Sequence, residues 1–374
     1  MTHSKEFIPV NIPRIPTRSK EYVEECLNSG WIATGKFIDE FEEAISDIVS
    51  KENAVAVTNG TTALDISLTA LNLAPGDEVI LPNFTIVSCV NQLIRLGINP
   101  IFIDADLHTW NMDVSQIEMA ITSQTKAILV AHIYGLPTNM DEVLRLCKKY
   151  GLKLIEDCSE ALGLEYKGKK CGTFGDISTF SFYSNKIITT GEGGMLATDD
   201  SVLLEKIRLL RNLYFDEKDR FSHQGVGWNA RMTNIQAAIG CGQISELESL
   251  REFKRKIGLF YQEHLAELLE FFTFQPSKTD YATNDYWVVG ILIKPDSRIQ
   301  QRELMSILLE DGIQTRPFFK PLHSQPFLKN KYSHLRYPVS EYLGKNGLYL
   351  PSGNGIQEWQ ALRVINSIKR VFSK

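Results

Sequence analysis

From Ala54 to Glu156 the chain alternates short apolar runs with stretches whose apolar residues recur at helical spacing. The runs Ala54–Val57, Glu78–Leu81, Pro100–Asp104, Ala127–His132 and Lys153–Glu156 read as strands. Between them Ala63–Leu73, Thr85–Leu96, Val114–Ile121 and Met140–Tyr150 read as helices. Such alternation leaves few options. Strands joined through helices lie parallel, and a parallel sheet needs cover on both faces. The predicted fold is therefore α/β, with ligands expected at the carboxyl ends of the strands. Asn59-Gly60-Thr61, Pro82-Asn83, His132-Ile133-Tyr134 and Asp157 all fall at such ends.

Outside this block the pattern loosens. Residues 1–17 are Pro-rich and expected to be extended, and Ser19 is placed to cap a helix over Glu21–Leu27. Helix Ser201–Arg211 and a polar loop, Tyr214–Gly227, lead into a long helical pattern from Thr233 to Phe271, with Gly240 and Gly258 as candidate breaks. Strand Tyr286–Ile293, helix Gln300–Leu309, a strand end at Thr315-Arg316-Pro317 and helix Gln357–Phe372 suggest a smaller α+β unit. At 374 residues the chain exceeds one small core, so the expected division is 1–250 and 251–374.

One lysine stands out. Ile177, Thr179, Phe180 and Phe182 alternate as a half-buried strand, which gives way at Ser184-Asn185-Lys186 to a Thr- and Gly-rich turn ending at Gly194. An amine held at a strand exit suits Schiff-base chemistry, although a solvated loop lysine is the plainer alternative. Asp157 ends an apolar strand, and a buried carboxylate needs a cationic or donor partner unless it merely caps the next turn. Asn59-Gly60-Thr61-Thr62 joins a strand to a helix, which makes either an anion cradle or an ordinary N-cap. The Ser181 hydroxyl is placed to reach the same anion. Asn229 and Arg231, just before a helix start, suggest anion or sugar contacts.

Other classes drop out. Gly163-x4-Gly168-Lys169 is followed by Lys170 where a P-loop needs Ser or Thr, and Lys167-Gly168-Lys169 reads as a hairpin turn. The seven histidines form no HxxxH or HxH pair, so no metal is expected. No GxSxG supports a serine hydrolase. A net charge of −5 without a basic run argues against nucleic acid. No apolar run of membrane-spanning length and no signal core appear, and six scattered cysteines without a CxxC suit reduced thiols in the cytoplasm.

In order, the segments NGTTAL, GDEVILP, NPIFIDAD, HIYGLP, IEDCSEALG, GTFGDISTFSFYSNKIITTGEGG and GWNARMTNIQAAIG resemble the DegT/DnrJ/EryC1/StrS family of sugar aminotransferases. The likeness runs nearly end to end, from GWIATGKFIDEFE to the last helix. It implies a fold-type I, aspartate aminotransferase-like architecture: a mainly parallel mixed sheet between helices, with a smaller C-terminal α+β domain. It also implies pyridoxal 5′-phosphate as cofactor. The chain is most similar to the branch that aminates GDP-4-keto-6-deoxymannose with L-glutamate as donor. TRPFFKPLHSQP is part of that likeness, but enzymes of dTDP-linked sugars carry similar tails, so the nucleotide (GDP, dTDP or UDP) and C3 or C4 amination stay open.

The resemblance implies roles position by position. Lys186 bonds the cofactor and shuttles a proton, and Asp157 holds the pyridine nitrogen protonated. Gly60, Thr61, Thr62 and Ser181 hold the phosphate, and Glu160, where many relatives carry Gln, sits near the ring and its phenolic oxygen. Asn229 reaches the phosphate of a neighbouring subunit, which implies a homodimer. Trp31, Thr34, Arg231, Arg316 and His323 lie near the nucleotide-sugar. Ile86 stands where relatives often stack an aromatic on the ring, with Phe84 as a candidate replacement, and Trp228 stands for the more usual Tyr. Two other readings remain: a sugar dehydratase, whose branch carries His in place of the lysine, and a non-catalytic regulator on the same fold. Lys186 opposes the first, and its retention with Asp157 and Ser181 opposes the second.

Overall fold

A computed structural model describes residues 6–215, 219, 221–332 and 334–373. Residues 1–5 of the N-terminal segment, and 216–218 and 220 of the polar loop, lie outside the described residues. The chain opens with helices α1 (Thr17–Ser29) and α2 (Lys36–Ile48). Strand β1 (Asn53–Val57), helix α3 (Gly60–Ala70), β2 (Glu78–Pro82), α4 (Ser88–Arg95), β3 (Asn99–Ile103), α5 (Ile117–Ala120), β4 (Thr125–Ala131), α6 (Met140–Tyr150) and β5 (Lys153–Asp157) follow. A two-stranded hairpin, β6 (Glu165–Tyr166) and β7 (Lys169–Lys170), precedes β8 (Ile177–Ser181) and β9 (Gly194–Thr198).

Seven strands form one sheet in the order β1-β9-β8-β5-β4-β2-β3. All pairs are parallel except those made by β9, which runs against both neighbours. The six parallel strands therefore end at one edge, and β9 starts there. The central strands are buried along nearly their whole length, as a sheet covered on both faces requires. The hairpin turn is as expected: Lys167 and Gly168 both have positive φ, 49° and 76°, the backbone of a type I′ turn.

Helices α7 (Ser201–Arg211), α8 (Asn234–Ile244) and α9 (Leu247–His264) lead to a second sheet of β10 (Phe272–Phe274), β11 (Val289–Ile293), β12 (Arg316–Pro317) and β13 (Gly347–Leu350). It is antiparallel, in the order β10-β11-β13-β12. Helices α10 (Gln301–Glu310), α11 (Lys329–Tyr332), α12 (Pro338–Asn346) and α13 (Glu358–Phe372) complete it. Ile8, far away in sequence, is fully buried in this second core beside Phe272, Ile313 and Ile365, and Ile8 N–H donates to the Gly312 carbonyl at 2.8 Å.

Several boundaries move. The long helical pattern breaks at Ser245-Glu246, not at its glycines. A Cβ on Gly240 would lie 2.7 Å from the Phe41 ring, and one on Gly258 would lie 2.3 Å from the Tyr286 ring. Both glycines therefore admit a neighbouring ring. Ser19 caps nothing: it lies inside α1, buried, with its hydroxyl donated to the Ile239 carbonyl at 2.9 Å. The expected helix from Thr85 starts only at Ser88, which leaves Thr85 and Ile86 in a turn. The helix over Val114–Ile121 is a 3-10 turn, Val114–Gln116, followed by the short α5. All six cysteines are free and four are buried. Among the described residues, no helix is long and apolar enough to cross a membrane.

Candidate active site

The edge where the parallel strands end opens into a cavity of about 550 Å³. Helix α3 starts at its wall. The Asn59 carboxamide caps that helix by accepting the Thr62 N–H at 2.8 Å. The Gly60 and Thr61 N–H groups precede any possible intrahelical acceptor, so they face outward with the positive end of the helix. Gly60 is required by crowding: a Cβ there would lie 2.8 Å from Ser181 Cβ on β8. Ser181 thus lies against the helix start, and Thr61 Oγ1 shares a 2.7 Å hydrogen bond with Ser88 Oγ. N–H groups and hydroxyls from three elements make a cradle for a phosphate.

Asp157 enters from the end of β5, 4% exposed. Its carboxylate accepts the Ser159 N–H at 3.0 Å and the Cys89 thiol at 3.5 Å. No cation of the described residues pairs with it, so a buried charge lacks a counter-charge. A protonated pyridine nitrogen answers that need.

Lys186 lines the same cavity and is half-buried, its side chain 11% exposed. Its Nζ lies 3.9 Å from Glu160 Oε1 and 4.0 Å from the centre of the Trp287 ring. Burial lowers its pKa, and the charges of Glu160 and Asp157 oppose that shift. The result is an amine more readily neutral, and so more nucleophilic, than an ordinary lysine. Burial raises Glu160 to about 7 against the pull of Lys186, while its Oε2 accepts the Tyr134 N–H at 2.8 Å.

His132, at the end of β4, also faces the cavity. Thr138 N–H donates to its Nδ1 at 3.1 Å, so Nε2 carries the proton and donates to Glu156 at 3.0 Å. Burial would raise the Glu156 pKa, but His132 and the N–H groups of Gly172 and Gly175 hold it low. His132, Glu156 and Cys171 lie close enough for a metal, but these hydrogen bonds already occupy the imidazole.

The cavity brings together Gly60, Thr61, Thr62, Ile86, Asp157, Glu160, Ser181, Lys186 and Arg316. Ile86 is 40% exposed there. Phe84 does not replace the missing aromatic: it is buried against Tyr134, Phe318 and Phe319. Trp31, Thr34, Asn229 and Arg231 do not line the cavity of their own chain, and all four are exposed. Arg231 instead hydrogen-bonds the Asn212 side chain. His323 is buried outside it, held by Asn83 and lying 3.3 Å from Glu341. Trp287, Tyr349 and Phe319 were missed. They come from the second sheet and its approach, more than 100 residues from Lys186, and no local pattern marks them.

The chain belongs to the DegT/DnrJ/EryC1/StrS aminotransferase family, whose pattern matches residues 13–369. Pyridoxal phosphate is the cofactor of these aminotransferases, and the cradle, the Asp157 carboxylate without a paired cation among the described residues and the half-buried Lys186 fit it. The chain is 41% identical to GDP-perosamine synthase of Escherichia coli O157:H7 over 369 residues, covering 98% of this chain and 99% of that one. It is 36% identical to GDP-perosamine synthase of Vibrio cholerae, over 98% and 99%. Among solved structures, Helicobacter pylori PseC, an aminotransferase of pseudoaminic acid biosynthesis, superimposes with a TM-score of 0.92 at 27% identity, covering 98% of this chain and 100% of PseC.

Proposed function

We propose that this aminotransferase moves the amino group of L-glutamate onto C4 of a nucleotide-linked 4-keto-6-deoxy sugar, converting GDP-4-keto-6-deoxymannose to GDP-perosamine. One observation carries the amine transfer: a half-buried lysine shares a cavity with a buried carboxylate, and among the described residues the lysine has no hydrogen-bond partner and the carboxylate no paired cation. The choice of sugar rests on the two full-length relatives named GDP-perosamine synthase.

When bound, pyridoxal phosphate supplies an aldehyde that takes an amino group and a ring that accepts electrons from the adjacent C–H bond. Lys186 Nζ would be the amine that holds the cofactor, and it would serve as the base that moves a proton at the reacting carbon. Asp157 keeps the ring nitrogen protonated. The Gly60 and Thr61 N–H groups, with the Thr61, Thr62 and Ser181 hydroxyls, hold the phosphate. Ile86 and Glu160, both on the cavity wall, would hold the cofactor ring. Arg316, at the cavity wall, meets the sugar nucleotide. Trp31, Thr34, Asn229 and Arg231 are exposed and outside their own cavity's lining, which favours a homodimer in which each copy completes its partner's site.

The test is spectroscopic. Purified protein should be yellow, lose colour with glutamate, and stay colourless as Lys186→Ala. With GDP-4-keto-6-deoxymannose, NMR should identify a 4-amino product. A spectrum indifferent to glutamate sinks the amine transfer, and faster turnover of the dTDP-linked glucose counterpart sinks the GDP assignment.

A further inference from the structure

A second, smaller cavity adjoins the first at Lys186 and reaches Lys254 on α9. It offers about 30 Å³, where about 10–15 Å³ holds one water. Its lining is short of partners. Lys254, 5% exposed, hydrogen-bonds the Ser352 carbonyl, and no carboxylate of the described residues lies within ion-pair distance. An ammonium has three N–H donors, so two remain unmet. Asn185 Oδ1 and Asn354 Oδ1 are buried without a hydrogen bond, and both residues line the chamber. Asp285 also faces it, but its two oxygens are held by Arg251 at 2.7 Å and by Arg255.

We propose that this chamber holds an ordered water joining Lys254 to Lys186, and that Lys254 is a positioning residue that takes and returns a proton of the Lys186 nitrogen through it. The exchange balances: protonated Lys186 gives one proton to the water, and the water gives one to the neutral Lys254 amine. The reverse restores both. Unmet donors and acceptors around a water-sized space are what an internal water satisfies. Burial brings Lys254 down to about 7, and it also lowers Lys186 from the ordinary lysine value. The charged groups facing the pair are Glu160 and Asp157 at Lys186, and Asp285 with its two arginines at Lys254. The catalytic consequence rests on the amine-transfer reading; the water does not.

A crystal structure of the cofactor-loaded enzyme, at a resolution that shows waters, should place one within about 3.2 Å of Lys254 Nζ, of the Lys186 nitrogen and of Asn185 Oδ1 or Asn354 Oδ1. Lys254→Met should lose that water. It should also slow bleaching by glutamate roughly tenfold, shift the pH profile of that rate, and leave glutamate affinity within about twofold. Asn354→Leu, which buries no charge, should slow the same step and decides the matter if Lys254→Met does not fold. An empty chamber in the wild-type crystal overturns the proposal. So does an unchanged rate and pH profile in a folded variant. If glutamate fails to bleach the wild type while the water is present, the amine-transfer reading falls and the hydrated site stands.

Discussion

Asp157 and Lys254 are buried charges with different needs. Asp157 lacks a cation that a ring nitrogen supplies, so Asp157→Asn should cut turnover by on the order of a hundredfold, as when a preorganised electrostatic partner is removed. Steady-state kinetics with saturating cofactor checks this. Lys254 acts on stability. Its folded amine titrates near 7, below the ordinary lysine value of 10.5, so the unfolded chain binds more protons between those limits. Wild-type stability should therefore rise with pH across that window. The advantage of Lys254→Met should be largest below pH 7 and shrink by up to about 5 kcal/mol towards pH 10.5. Denaturant unfolding of both proteins at several pH values measures the difference. Glu160 acts on its neighbour. Its negative charge raises the Lys186 pKa against burial, so Glu160→Gln should let the amine lose its proton at lower pH. The pH dependence of cofactor capture by the cofactor-free protein reads that shift. At this scale Lys186 and Asp157 stood out in sequence because strand patterns end at them, and Ser181 because it lies on the strand that leads to Lys186. Trp287 did not, because its closeness to Lys186 depends on how β11 approaches the larger sheet.

Helices and strands explain which boundaries sequence pattern misplaced. Propensity marks a glycine as a helix weak point, yet α9 runs through Gly258 because the Tyr286 ring occupies the space of a side chain. Gly258→Ala should therefore destabilise by about 1–3 kcal/mol through overpacking, although alanine is the better helix former by about 1 kcal/mol. Thermal unfolding decides which term wins. The start of α3 shows the opposite case. The Asn59 cap was legible because strand, Asn-Gly and helix follow in line, and a cap needs only neighbours in sequence. Ser19 looked like a cap for the same reason. It became an internal contact when α8 packed against α1, which a local pattern cannot show.

At the scale of the whole molecule, the outward position of Asn229 and Arg231 bears on assembly. If two copies share their sites, Lys186→Ala and an inactive Asn229 variant should complement when mixed. Random reassortment gives half mixed dimers with one intact site each, so about a quarter of wild-type activity should return. Sites built within one chain would recover none. The alternation from Ala54 to Glu156 by itself determined the parallel sheet and the edge where its ligand gathers, because period, turn chemistry and strand direction are local rules that a parallel connection makes global. Which second-sheet side chains enter that edge, which glycines admit rings, and where Lys186 meets a water-sized chamber were decided only by tertiary packing. Those contacts join residues on separate elements, such as Gly258 with Tyr286 and Gly240 with Phe41, and nothing local encodes the closure that brings them together.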